Sequence, residues 1–488
     1  MSTADPAVRA IERAGPATGT GFAPVAEVPG DPGQMHVYEH GWQSWSPTGR
    51  YPATGTSPRP QRANWHRMCY RHDRDLPATG FQGEGLLAVA SPQGPVVLVA
   101  TEDPRGHVPS IRAEAHRDRI VVTADGPVQV RRDLGDDLPD ALARWAEEVA
   151  RDLAVGPPVA HDPVWCSWYC HWAEVTTADI DAALAAIAEV ALPVGVVQID
   201  DGHQAAIGDW LTERPGFGPP GARRALAQRI RAHGHRAGLW LAPLMAARGS
   251  ATAKAHPEWL VGDAHAGHHW GDEIAALDVT HPGAAAHLGE VIATVVDEGY
   301  DYLKLDFLYA GAIEGRRHGD ASALDAYGEA LRIIREAAGP EVTLLGCGAP
   351  QLPSIGLLDP MRISPDTDPK DQPEDGDRSQ PSLSAALATG RARAFTHARW
   401  WTADPDCLLV RSEVARPQEW AEHVRASGGL VADSDPLAEL DDDELARLRS
   451  LLRPSTTTPV GWDPEGSEQG RLRPDQEQGR ITSTEERP

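Results

Sequence analysis

Lysine is nearly missing from this chain: Lys254, Lys304 and Lys370 are the three among 45 basic residues, set against 71 acidic ones, for a formal charge of −26. Without clustered Lys and Arg there is no electrostatic footprint for a phosphate backbone or an anionic membrane surface, so nucleic-acid and membrane partners are excluded. Long apolar runs are missing too. None approaches the ~20 residues of a spanning helix, and the first fifteen residues, MSTADPAVRAIERAG, lack the apolar centre of a secretory leader. The expected location is cytoplasmic. Cysteine is scarce: Cys69, Cys166, Cys170, Cys347 and Cys407 form no CxxC pair and are odd in number, which argues against a disulfide framework or a zinc knuckle. Phenylalanine (5) is outnumbered by tryptophan (15). A codon bias toward Ala, Arg, Gly and Trp accounts for these skews and makes a retained lysine stand out.

What is present is an ordinary globular composition, 41% hydrophobic and 24% charged. Residues 1–34, rich in Ala, Pro and Gly without periodicity, read as a flexible lead-in. From 35 to 156, short apolar runs at 86–90, 96–100 and 120–123 are separated by Pro/Gly turns, the pattern of a small antiparallel β domain. The stretch LPDALARWAEEVARDLAV (138–155) repeats apolar residues at helical spacing and stops at Gly156-Pro157-Pro158, a domain boundary. From 157 to 453, β-type runs alternate with helical ones. Eight candidate strands fall at 164–170, 195–200, 238–244, 302–308, 342–347, 361–364, 394–400 and 428–432. Eight repeats over some 270 residues is the arithmetic of an α/β protein built as a (β/α)8 TIM barrel. An open doubly wound sheet is the alternative, but no GxGxxG turn follows the first strand. Residues 454–488 hold few apolar side chains and are expected to be disordered.

Strand alternation selects the chemistry. In YLKLDFL, Tyr302, Lys304 and Asp306 share one face and Leu303, Leu305 and Phe307 the other. The apolar set suits the helix layer, so Lys304 and Asp306 point into the barrel, where charge belongs at the carboxyl-end mouth. MRISPD brings Arg362, Ser364 and Asp366 together, and VVQIDD brings Gln198 and Asp200 together. A single aspartate after a strand can be no more than a helix cap; three strands delivering ionisable groups to one mouth is a stronger pattern. Lys304 beside Asp306 reads either as a structural ion pair or as a cation that keeps a nucleophile ionised. Two carboxylates in one pocket are the requirement of glycoside hydrolysis, and Trp168, Trp240, Trp400 and Trp401 near strand ends suit stacking on a sugar, with core filling the reading for at least half of them.

The ordered segments WCSWYCHW, QIDDGHQ, GDW, GLWLAP, YLKLDF, LLGCGAP, MRISPDT and DPDCLLVR resemble the catalytic barrel of glycoside hydrolase family 36, the α-galactosidase (melibiase) and raffinose-synthase-like group, over roughly residues 160–435. GWQSWSPTG (41–49) also resembles a family element in which a tryptophan from the β domain reaches over the barrel. The resemblance implies Asp306 as nucleophile and Asp366 as acid/base, with Asp368 as competitor for the second role. It further implies substrate-binding roles for Asp200, Asp201, Lys304, Arg362, Cys347, Trp240 and Trp168, a retaining mechanism, and no metal or other cofactor. The implied activity is exo-α-galactosidase on small α-galactosides; α-galactosyl transglycosylase and α-N-acetylgalactosaminidase are the alternatives, and a sugar-binding protein with a decayed site is a further one.

Departures concern substrate choice. His203 follows DDG and Leu305 precedes Asp306 where family members commonly carry Trp, and the acid/base segment reads SPDT. No second β domain is expected in residues 454–488. His233 and His235 (HxH) fall at the amino end of GLWLAP, the wrong face for catalysis, while His265, His268 and His269 fall in a loop and read as solvated.

Overall fold

The computed structural model describes residues 11–15, 21–60, 63–71, 73–92, 94–373, 376–377 and 380–460. The expected disordered tail therefore lies outside the described residues from 461 onward.

The amino-terminal part is a sandwich of two antiparallel sheets. A six-stranded sheet runs in the order 11–14, 128–131, 97–101, 86–90, 36–39, 49–52, and a four-stranded one in the order 23–29, 119–124, 110–115, 81–84. In Leu86–Ala90 the alternation divides the side chains: Leu87 and Val89 enter the core between the two sheets, while Leu86 and Ala88 join the barrel core. A strand covered on both faces needs the uninterrupted apolar run LLAVA. The segment expected to be a loose lead-in is different: Ile11–Ala14 and Ala23–Pro29 are edge strands of the two sheets. In the second, APVAEVP, a register shift between Pro24 and Ala26 breaks the alternation, and the Ala- and Pro-rich composition hid the strand.

The helix Leu138–Asp152, capped by Asp137, packs Trp145 edge-on against Trp400 at 5.6 Å. The barrel follows. Its strands are β1 (Val164–Cys166), β2 (Val196–Ile199), β3 (Arg236–Leu241), β4 (Tyr302–Leu305), β5 (Thr343–Gly346), β6 (Pro360–Arg362), β7 (Thr402–Asp404) and β8 (Ala432–Asp433). They form one parallel eight-stranded sheet in which β8 pairs with β1. Backbone bonds from Leu430 N to Ala403 O (2.8 Å) and from Leu408 N to Ala432 O (2.5 Å) close the ring. The fold class is thus the expected (β/α)8 barrel behind an antiparallel β domain.

One strand assignment is corrected. Residues 394–400 form a 3-10 turn and a loop with Ala398 at φ 54°, and the seventh strand is Thr402–Asp404, in register with Pro360–Arg362. The aromatic, β-rich look of AFTHARW comes from core packing: Trp400 and Trp401 are 2% and 4% exposed, and Trp400 donates to Ala146 O. Neither faces a sugar.

Helices cover the outside. Thr177–Glu189 opens with a capping box between Thr176 and Asp179 and buries Ile180, Ala183, Leu184 and Ile187 along one helical stripe. Leu303 and Leu305 join the same layer, while Tyr302 lies inside the ring with Val196, Leu345 and Cys407. Above that inner plug, Lys304 and Asp306 follow Tyr302 on the same face and border a cavity.

Candidate active site

A cavity of about 290 Å³ opens at the carboxyl ends of the strands, walled by Trp168, Asp200, Asp201, Trp240, Lys304, Asp306 and Asp366. Seven of the nine residues singled out from the sequence meet there. Arg362 and Cys347 do not form its wall. Both are buried, and Arg362 is occupied by three carboxylates.

Asp306 stands at the first position after β4, where the chain turns sharply because Phe307 adopts the left-handed φ of 51°. Its carboxylate accepts the Trp240 indole N–H on Oδ2 (2.9 Å) and the Phe307 backbone N–H on Oδ1 (2.7 Å). One donor on each oxygen holds the carboxylate in place at the cavity wall. Gly348, at φ 53°, permits this turn: a Cβ there would sit 2.9 Å from the Trp45 ring and 3.0 Å from the Phe307 backbone.

Asp200 Oδ2 accepts from Lys304 Nζ (2.9 Å) and from Gln198 Nε2 (2.7 Å). The lysine thus pairs with Asp200, two strands away across β3, and not with the Asp306 partner considered in the sequence. Burial alone would depress Lys304, but Asp200 reverses this and holds the ammonium well above its ordinary range. Asp201 is bridged by Gln204 Nε2 on Oδ1 (2.6 Å) and by Trp270 Nε1 on Oδ2 (2.8 Å); burial still raises its carboxyl.

Asp366 lies four residues beyond Arg362, which donates to its Oδ1 at 2.8 Å. A third of the side chain is open to the cavity. Desolvation, then the charge of Asp406, push its carboxyl up to about 7 against the opposing pull of Arg362 and Lys304. Asp368, the competitor, turns its Oδ1 to the Lys370 backbone N–H and is not part of the cavity wall.

Phe307, assigned by alternation to the helix layer, instead lines the cavity because the strand ends at Leu305, and further side chains shape the wall without a sequence signal. His269 and Trp270 come from the hairpin Gly267–His269/Asp272–Ala276, which the sequence presented as a solvated loop. Asn64 bonds both backbone groups of His268 (Oδ1 accepting at 2.8 Å, Nδ2 donating at 3.1 Å) and so pins that hairpin. Met68 follows one turn later on the same short helix. Trp45, from the GWQSWSPTG segment, packs edge-on against Phe307 at 4.8 Å and reaches the cavity as the resemblance implied. Arg393 holds its loop: Nη1 donates to Ser44 O (2.6 Å) and Ile363 O (2.9 Å), Nη2 to Gln43 O (2.8 Å). His203, standing where relatives commonly carry tryptophan, donates to Trp240 O at 2.9 Å, and burial lowers it to about 3. The HxH pair is spent on backbone, His233 to Arg229 O and His235 to Val194 O.

A family model described as Melibiase matches residues 171–317, a stretch that contains Asp200, Asp201, Trp240, Lys304 and Asp306. An α-galactosidase from Thermus thermophilus, solved with p-nitrophenyl α-D-galactopyranoside and with stachyose, shares 29% identity at a TM-score of 0.74; the match with the first complex covers 91% of both chains. A family 36 α-galactosidase from Geobacillus stearothermophilus superimposes at a TM-score of 0.61 and 14% identity, over 88% of this chain and 61% of the other. The ordered motifs, the barrel with its paired carboxyls, the matched stretch and the nearly full-length likeness make the chain similar to the family 36 glycoside hydrolases of the melibiase type.

Proposed function

We propose that the chain is a retaining exo-α-galactosidase acting on small oligosaccharides. Asp306 attacks the anomeric carbon as the bond to the leaving oxygen breaks. The leaving oxygen takes its electron pair and a proton from Asp366, and a β-galactosyl ester on Asp306 remains. Asp366, now a carboxylate, takes a proton from water; the water oxygen displaces Asp306 and galactose departs in its original α configuration. Asp200, Asp201 and Lys304 offer charged partners for sugar hydroxyls, and Trp168 and Trp240 offer walls.

The carrying observation is the contrast between two carboxyls on one cavity. Asp306 is immobilised by two N–H donors, whereas Asp366 is raised to about 7, where it can carry a proton at neutral pH. The ligands of the Thermus enzyme, an aryl α-galactoside and stachyose, support the choice of sugar. All five cysteines are free thiols, in keeping with a cytoplasmic setting. Among the described residues no helix is long and apolar enough to cross a membrane.

The test is a panel of aryl α- and β-galactosides and α-N-acetylgalactosaminides, with the first-formed anomer followed by NMR. α-Galactose appearing first, from α-galactosides alone and unaffected by chelator, is expected. β-Galactose first would overturn retention, and preferred turnover of the N-acetyl sugar would overturn the substrate.

A further inference from the structure

Arg362 is buried at the end of β6 and meets three carboxylates: Nε to Asp404 Oδ2 at 3.0 Å, Nη2 to Asp406 Oδ1 at 2.7 Å and Nη1 to Asp366 Oδ1 at 2.8 Å. One positive charge thus serves three potential negative ones. Asp404 and Asp406 are both 1% exposed, and only Asp366 opens onto the cavity. Asp406 is also held in a costly backbone conformation, φ 87°, which a non-glycine residue keeps only when its surroundings demand it. Those surroundings are visible: its Oδ2 accepts the Tyr169 hydroxyl (2.6 Å) and the Thr367 backbone N–H (2.7 Å), which ties it to the residue after Asp366. The Asp404 Oδ1 in turn accepts the Asp406 backbone N–H at 2.9 Å.

We propose that Asp406 is a positioning residue for Asp366: with Asp404 it saturates Arg362, so that the guanidinium orients the Asp366 carboxyl without holding it ionised, and the carboxyl stays available to carry a proton. The inference rests on the acid/base reading of Asp366 and adds to it the device that makes that role workable beside an arginine. The charged groups around Asp366 are Arg362 from β6, Asp404 and Asp406 from the end of β7, and Lys304 and Asp306 from β4; Tyr169 caps Asp406 from the helix after β1. Of these the two cations oppose protonation, and Asp406 is the largest electrostatic influence in its favour.

The experiment compares kcat/KM against pH for Asp406→Asn, Asp404→Asn and wild type, using an α-galactoside with a poor alcohol leaving group. Removing a negative charge from Arg362 should move the alkaline limb toward acid by about one pH unit, so that activity at pH 8 falls about tenfold further than the low-pH plateau does. Asp404→Asn should move it the same way, and decides the matter alone if Asp406→Asn does not fold. An activated aryl leaving group, which departs without a proton, should be affected less. A purely structural role would lower activity at every pH and leave the limb in place; unshifted limbs in the folded variants overturn the proposal. Asp366→Ala separates this from the underlying reading. If azide rescues that variant as α-galactosyl azide while the Asp406 and Asp404 limbs do not shift, the positioning role alone is lost. If Asp366→Ala keeps the wild-type alkaline limb and shows no rescue, the acid/base assignment falls and the positioning role with it.

Discussion

The Trp240 indole N–H points at Asp306 Oδ2 from 2.9 Å, although the tryptophan sits on β3 and the aspartate just past β4. Their register makes this possible: Trp240 lies opposite Lys304, two residues before Asp306, so a long indole reaches forward to the carboxylate. The wall residue is therefore also a donor to the candidate nucleophile.

Asp306→Ala is expected to lower kcat/KM for an aryl α-galactoside by about 10⁴-fold or more with an unchanged circular-dichroism spectrum. Trp240→Phe keeps an aromatic wall and removes one hydrogen bond to a charged group, worth about 1.5–3 kcal/mol, for a loss of roughly 10- to 100-fold. Activity within twofold of wild type in Trp240→Phe would show that the bond plays no part.

Asp366 carries a pH signature in both activity and stability. With its carboxyl raised to about 7 and its protonated form serving as the acid in the proposed mechanism, the alkaline limb of kcat/KM should fall near pH 7. The folded state prefers the neutral form, so its contribution to stability is complete at acid pH and is lost as pH rises through about 7. Asp366→Asn, permanently neutral, should therefore gain in melting temperature relative to wild type between pH 4 and pH 8. A constant difference over that range would contradict the assignment.

Trp270→Phe tests the missed wall. It leaves the ring beside Phe307 (5.0 Å) but deprives Asp201 of the indole donor. KM should rise by about 5- to 20-fold, the equivalent of roughly 1–2 kcal/mol, with kcat less affected. Asn64→Leu, which frees the hairpin backbone at His268, should do the same through a displaced Trp270.

Arg393→Met should uncouple the amino-terminal segment from the barrel. The guanidinium donates to carbonyls of Gln43, Ser44 and Ile363, and burial lowers it to about 10. Leaving these buried acceptors unpaired should cost about 2–4 kcal/mol. KM should also rise because Trp45 loses its seat. A destabilised variant with unchanged KM would mean that Trp45 is held by its packing on Phe307 alone.

The barrel and most of its charged wall were legible because two-residue alternation forces Lys304, Asp306 and Asp200 inward once the leucines are assigned outward. What the pattern could not give is whatever depends on contacts distant in sequence. Trp400 and Trp401 look like strand residues at a mouth, yet Trp145, some 250 positions earlier, claims the first for the core. Trp270 sits in a hairpin whose only sequence mark is a run of histidines, and its placement comes from Asn64 and Asp201. Lys304 was paired on paper with its neighbour two residues away, but strand adjacency across β2, β3 and β4 gives it to Asp200. The segment DPDCLLVR carried Asp404 and Asp406 in plain view; their claim on Arg362 needed the β6–β7 register to be seen.

The six-stranded sheet, apolar on both faces, has a consequence for synthesis. Its barrel-facing side, including Tyr38, Leu86, Ala88, Leu98 and Ala100, shares its core with residues encoded far later, such as Phe395 against Tyr38. At about 5–20 residues per second, translating the remaining barrel takes on the order of 15–60 s, during which a finished greasy surface waits at the ribosome exit. Yield of soluble enzyme should accordingly depend on holdase chaperones and on slow-growth temperature more than its final stability suggests.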